Sequence, residues 1–251
     1  KLRFPVDRYL EEVTAAERAA VKQIEKALDD HPDEIAALII EPIQGEGGDN
    51  HFRPEFLQKL RDLADQHEFL FIADEVQTGV GLTGKMWAYQ HFGITPDVLV
   101  FGKKTQVCGI LAGRRVDEVE KNVFQESTRI NSTWGGNLTD MVRFGRYLEI
   151  IEEEKLVERA RQVGAFLLSE LEKLQGENPD RISNVRGRGL MCAFDLQDTE
   201  TRDRFKKLAF ENGMLILGSG RKSMRFRPTL SVGKEEVEQG IGILRRVLSS
   251  L

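Results

Sequence analysis

Hydrophobic positions along this chain follow two rhythms. Between residues 8 and 29, Leu10, Val13, Ala20, Ile24 and Leu28 recur near helical spacing, which predicts an amphipathic helix. Ala36-Ala37-Leu38-Ile39-Ile40 is instead unbroken apolar sequence that stops at Glu41-Pro42, the pattern of a buried strand. A helix is expected from Pro54, a residue suited to a first turn, through Glu68. A second buried strand, Phe69–Asp74, follows. Val98–Phe101 gives a third strand and Ile110–Ala112 a fourth. Strand, helix, strand with apolar runs predicts an α/β fold with a mainly parallel sheet. Asn137–Glu154 and Leu156–Leu174 read as two helices with little break between them.

The character changes after Gln175-Gly176-Glu177-Asn178-Pro179, which reads as a turn-rich linker. Strands are expected at Leu190–Leu196, Met214–Leu217 and Met224–Arg227, and helices at 200–212 and 234–248. The last helix gathers Val237, Ile241, Leu244, Val247 and Leu248 on one side. The expected division is 1–154 for the larger unit and 155–251 for a smaller α+β unit. Phe52, Trp87 and Trp134 read as core aromatics.

Composition narrows the function classes. The 251 residues are 40% hydrophobic and 31% charged, as in a folded soluble protein. Net charge is −5, and the two signs interleave, as in EEVTAAERAAVKQIEKALDD. Such segments are solvated helix faces and not a nucleic-acid patch. No apolar run has the length of a membrane span, and KLRFPVDRYL lacks signal-peptide architecture. Cys108 and Cys192 form no CxxC pair, which points to free thiols and a reducing cytoplasm. The four histidines lack ligand spacing, so no metal is expected.

The candidate chemistry lies at strand ends. Asp74 closes one predicted strand, and Lys103 follows another in FGKKTQVCG. In open α/β sheets ligands bind at the carboxyl ends of strands, so this acid and this lysine could share a ligand. Pyridoxal phosphate wants such a pair: a lysine for a Schiff base and a carboxylate at the pyridinium nitrogen. Attack on an aldehyde needs a deprotonated lysine, which burial and a neighbouring cation such as Lys104 favour. On spacing alone a second reading stays open, with Asp74-Glu75 as a loop cap and Lys103-Lys104 as a solvated pair. Gly79-Val80-Gly81-Leu82-Thr83-Gly84 fits GxGxxG, but does not directly follow its strand and has no acid at the right distance. A flexible loop beside a ligand is the better reading, and a dinucleotide-binding oxidoreductase is a distant alternative.

IADEVQTG, PDVLVFGKK, NSTWGGN and VRGRGL, in that order along nearly the whole chain, resemble the successive signatures of class III aminotransferases. These are fold-type I pyridoxal-phosphate enzymes. EPIQGEGG, DEVQTGVGLTG, FGKKTQVCG, STWGGNLTDMVR, RGRGLMCAF and RFRPTL resemble the lysine ε-aminotransferase branch. GKKTQVCG is unusual for the wider class, and Leu82 stands where an arginine is common; both fit that branch.

The resemblance implies a role for each matched residue. Lys103 would be the Schiff-base lysine and Lys104 its electrostatic neighbour. Asp74 would hold the pyridinium nitrogen, and Gln77 would flank the phenolic oxygen. Thr133 would reach a cofactor phosphate in a partner subunit, with Asn131 lining the same site, which implies a homodimer with shared sites. Glu46 and Arg225 would form a gate, Glu46 neutralising Arg225 while L-lysine is the donor and releasing it for the carboxylate of 2-oxoglutarate. Arg225 is preferred to Arg227 because the first arginine of RFRP matches the family's R-x-x-P. The implied reaction gives 2-aminoadipate 6-semialdehyde and L-glutamate. An ornithine or 4-aminobutyrate type, or a non-catalytic remnant, are the alternatives. The sequence shows no Gly-Ser/Thr phosphate cradle, no aromatic for the cofactor ring and no arginine for the substrate's own carboxylate. It therefore reads as a partial large domain plus a small domain, with an N-terminal part missing.

Overall fold

The computed structural model describes every residue except Lys1, Phe4, Pro5, Asn131, Ser132 and Trp134. Helix α1 (Val6–Asp30) leads into strand β1 (Ala37–Ile40), helix α2 (Pro54–Gln66) and strand β2 (Leu70–Asp74). Strands β3 (Val98–Phe101) and β4 (Gly109–Ala112) complete a four-stranded sheet in the order β1-β2-β3-β4. The β1–β2 and β2–β3 pairs are parallel, while β4 runs antiparallel to β3. Helix α2 starts on Pro54 and buries Leu57, Leu60, Leu63 and Ala64. That stripe covers one face of the sheet.

The other face differs from expectation. An unbroken apolar strand predicts cover on both sides, yet β1 alternates. Leu38 and Ile40 pack on the core, while Ile39 is 63% exposed. Ile110 and Leu111 of β4 are likewise exposed. A short helix α3 (Arg114–Asp117) and a run of turns lead to α4 (Leu138–Glu153), whose N-cap Asn137 accepts the Thr139 N–H at 3.0 Å.

Helix α5 (Leu156–Glu177) continues through part of the segment expected to be a linker. Its buried stripe, Ala160, Val163, Leu167, Leu171 and Leu174, carries the helix to that point. Beyond it lie β5 (Ser183–Arg188), β6 (Met191–Asp195), α6 (Thr199–Glu211), β7 (Leu217–Ser219), β8 (Ser223–Phe226) and α7 (Lys234–Ser249). The strands form an antiparallel sheet in the order β5-β6-β8-β7. Two of these strands correct the sequence reading. β7 begins at Leu217, where Met214–Leu217 was expected. β5, SNVRGR, was not expected because it lacks apolar alternation. Its Arg186 is buried at 2% exposure, paired with Asp195 at 2.9 Å and donating to the Gly48 and Asp49 carbonyls.

One apolar core runs from Ile43, Phe52 and Phe71 under the first sheet to Phe194, Phe205 and Leu244 under the second. The glycine-rich segment 79–84 is buried and is no flexible loop. Leu190 N–H donates to Leu82 O at 2.9 Å, and a Cβ on Gly189 (φ 54°) would come within 2.4 Å of the Thr83 carbonyl carbon. Within the segment, a Cβ on Gly79 would come within 2.6 Å of the Trp87 ring and one on Gly84 within 3.0 Å of the Arg161 Cα, so these glycines serve close packing.

Candidate active site

The parallel strands β2 and β3 end side by side. Asp74 pairs with Val100, and the Glu75 N–H donates to Val100 O at 2.9 Å. The carboxylate and the lysine turn therefore leave the sheet next to each other, at the carboxyl ends where such folds bind ligands. Asp74 is half-buried and its Oδ1 accepts the Val76 N–H at 3.1 Å. Lys103 is exposed and opens a single 3-10 turn, Lys103–Thr105, closed by Gln106 N–H to Lys103 O at 2.9 Å. Its φ of 55° is left-handed; for a residue with a Cβ that costs about 1–2 kcal/mol.

Lys104 faces inward. It is half-buried and its Nζ donates to the Gln77 carbonyl at 2.7 Å. Burial brings its pKa down to about 8; the Arg227 and Lys103 charges add to the fall and Glu75 opposes it. The two adjacent lysines are thus placed differently, one presented to solvent and one built into the loop.

Glu75, which the sequence places only in an alternative loop cap with Asp74, has a larger part in the structure. It is buried, and its carboxylate accepts from Thr78 Oγ1 at 2.8 Å and from the Ala88 and Tyr89 N–H groups at 2.7 Å each. Burial raises its pKa against those bonds. It organises the whole 75–89 segment. The only sequence signal is an acid immediately after a strand-ending acid.

Glu46, Gln77 and Arg225 meet at one point. Arg225, on β8 and 9% exposed, donates through Nη2 to Glu46 Oε1 at 2.7 Å and through Nη1 to Gln77 Oε1 at 3.3 Å. Gln77 Nε2 donates to the same Glu46 oxygen at 3.2 Å. The hydrogen bond and charge of Arg225 hold the exposed Glu46 below its ordinary carboxylate range. Arg225 Nε is buried without a hydrogen-bond partner. Arg227 turns to the fully buried Asp49, at 2.9 Å, so the two arginines of RFRP serve different acids. Burial raises the Asp49 pKa, with Arg227 opposing. Thr133 is exposed on a turn before α4, and Asn131 lies outside the described residues.

A primary amine on an open turn and a half-buried carboxylate on the neighbouring strand end fit the pair that pyridoxal phosphate requires. Among the described residues, no helix is long and apolar enough to cross a membrane, and no cluster of histidine, cysteine, aspartate and glutamate is arranged to hold a metal.

An L-lysine-epsilon aminotransferase of Mycobacterium bovis is 50% identical over 236 residues, 94% of this chain and 53% of the relative. One of Amycolatopsis lactamdurans is 49% identical over 250 residues, 99% of this chain and 56% of the relative. The chain thus spans about half the length of the curated relatives it matches. A solved lysine aminotransferase from M. tuberculosis matches with a TM-score of 0.93 at 50% identity, covering 94% of this chain and 55% of that one. Solved M. tuberculosis variants substituted at an asparagine, a threonine and a glutamate also match, and those positions are separated as Asn131, Thr133 and Glu46 are here. The class-III aminotransferase family matches residues 1–248, and the chain belongs to that family.

Proposed function

We propose that this chain carries the strand-end half of the active site of a pyridoxal-phosphate-dependent transaminase. The reaction would move the ε-amino group of L-lysine to 2-oxoglutarate, giving 2-aminoadipate 6-semialdehyde and L-glutamate. The observation that carries the reading is the Glu46–Arg225 ion pair at 2.7 Å, bridged by Gln77, whose loop leaves the strand that ends in Asp74. The names of the relatives support the substrate.

Bound pyridoxal phosphate would supply an electron sink that labilises the bonds at the amine-bearing carbon. Lys103 would hold it through its amine. Once displaced by the substrate amine, Lys103 Nζ would take and return the proton that moves in the transfer. Asp74 would keep a proton on the ring nitrogen. Gln77 would flank the phenolic oxygen. Glu46 would cancel the Arg225 charge while the apolar chain of a donor lies beside it, since an unpaired buried cation there is costly. Moving aside, it would free the guanidinium for a bidentate carboxylate contact.

Thr133 and Asn131 would serve the site of a second subunit, with residues 1–154 in the larger unit and 155–251 in the smaller. The exposed apolar residues Leu138, Met141 and Val142 at the start of α4 suit a subunit contact. Both cysteines are free, in keeping with a reducing cytoplasm.

The test is addition of pyridoxal phosphate, borohydride reduction and peptide mapping, followed by an assay with L-lysine and 2-oxoglutarate. The expected label is on Lys103. A label on Lys104 would move the reactive position by one residue, and no label would leave the site without its cofactor. A broader ω-amino donor range is the second reading, because the Glu46–Arg225 pair suits any donor with a terminal amine. Comparing L-lysine, ornithine and 4-aminobutyrate as donors separates the two.

A further inference from the structure

The side-chain amide of Gln77 sits in a socket. Its nitrogen donates to Glu46 Oε1 at 3.2 Å, and its oxygen accepts from Arg225 Nη1 at 3.3 Å. Beneath it lies Gly45, where a Cβ would come within 2.5 Å of the Gln77 Cδ and Oε1. Behind it, Lys104 Nζ holds the Gln77 carbonyl at 2.7 Å. The glycine and the lysine both bear on Gln77, and Gln77 bears on both members of the ion pair.

We propose that Lys104 is a positioning residue for the Glu46–Arg225 pair, acting through Gln77, and that Gln77 is what keeps Arg225 aimed when Glu46 lets go. This deepens the transaminase reading above and rests on it. When a dicarboxylate draws Arg225 away from Glu46, each charged group loses a partner. Gln77 then still offers its oxygen to the guanidinium and its N–H to the carboxylate. Opening therefore never leaves the buried guanidinium bare, the state that would cost most, while the released Glu46, whose side chain is 68% exposed, is met by solvent. Arg225 has little to spare, because its Nε already lacks a partner. Lys104 does this from a half-buried place by donating an N–H hydrogen bond to the neutral Gln77 carbonyl, with the Glu75 charge offsetting part of the cost of its burial.

The test uses the full chain loaded with pyridoxal phosphate. Glutarate, a dicarboxylate that cannot accept an amine, is titrated by calorimetry into the wild type, Lys104→Met, Lys104→Arg and Gly45→Ala. The cofactor absorbance of each confirms loading. Both Lys104→Met and Gly45→Ala are expected to weaken glutarate about tenfold, and Lys104→Arg to recover most of that loss. In turnover, Lys104→Met should raise KM for 2-oxoglutarate by more than KM for L-lysine. Equal glutarate affinity in Lys104→Met and the wild type, both loaded, would overturn the proposal. Equal losses for donor and acceptor would also overturn it, as the mark of a general structural role. If Lys104→Met does not fold, Lys104→Gln takes its place under the same criteria, and Gly45→Ala tests the Gln77 amide by a different route. Failure of the wild type to be reduced onto Lys103 would instead sink the transaminase reading itself.

Discussion

Gly164 of α5 meets the backbone of Gly189 so closely that a Cβ on Gly164 would lie 2.1 Å from the Gly189 carbonyl carbon. Neither partner is a flexible side chain end. Gly164→Ala must therefore push α5 off the second sheet or move the 187–190 turn. The expected cost is about 3 kcal/mol or more, at the high end for overpacking. Urea unfolding measures it, and an unchanged midpoint would show that the helix shifts freely.

Glu75→Gln keeps the shape of a buried side chain but not its acceptors. One carboxylate oxygen serves Thr78 and Ala88, the other Tyr89. A glutamine retains one acceptor and turns its NH2 toward an N–H. The expected loss is about 1–3 kcal/mol, that of an unsatisfied buried donor. Increased amide exchange at Ala88 or Tyr89 would report it directly, and unaltered exchange at both would count against the account.

Acid should destabilise the fold through its histidines. Burial, then the Arg188 and Lys85 charges, lower His91 from 6.5 to about 4, and burial takes His51 well below 6.5. Between about 4 and 6.5 the unfolded chain then binds protons that the folded chain does not. Stability rises with pH through that window and is lost as pH falls through it. The His91 share is at most about 3 kcal/mol, by the free energy of a pKa shift. A denaturation midpoint that stays flat from pH 6.5 to 4, or that slopes as much in His91→Gln as in the wild type, would contradict this.

Glu46→Ala should change which substrate the site prefers. It removes the acid paired with Arg225 at 2.7 Å, and in the proposed reaction that cation would then lie uncancelled beside the donor's apolar chain. The ratio of donor to acceptor half-reaction rates is expected to fall by about tenfold or more, as for loss of a partner from a buried charge pair. Separate single-turnover measurements with L-lysine and with 2-oxoglutarate check it. A proportional fall in both would place Glu46 outside the substrate gate.

The elements easiest to see in the sequence are those built on uniform apolar runs, β1, β2 and β3, and on an amphipathic spacing, α1 and α7. β5 was not visible because its stabilising residue is a buried arginine. Arg186 draws its partners from Gly48, Asp49, Asp195 and Ser223, and no local pattern announces a partner so far along the chain. The glycines of 79–84 suggested a mobile loop because composition does not distinguish glycine needed for motion from glycine needed for closeness. For the candidate site, Asp74, Lys103, Glu46 and Arg225 were read from spacing and resemblance. The inward turn of Lys104 and the organising role of Glu75 depend on burial, which a single sequence does not display.

Glu46 and Asp49 belong to one loop, and Arg225 and Arg227 are alternate residues on and just past one strand. Side chains two apart along extended chain share a face, so the two pairs work like the pins of a plug. A one-residue slip of β8 would turn both arginines away together, which makes the plug a key for register. Its pins are unequal. Asp49 is sealed from solvent, while the Glu46 side chain is 68% exposed and so open to salt screening. One pin locks the loop in place, and the other can be withdrawn without unplugging it.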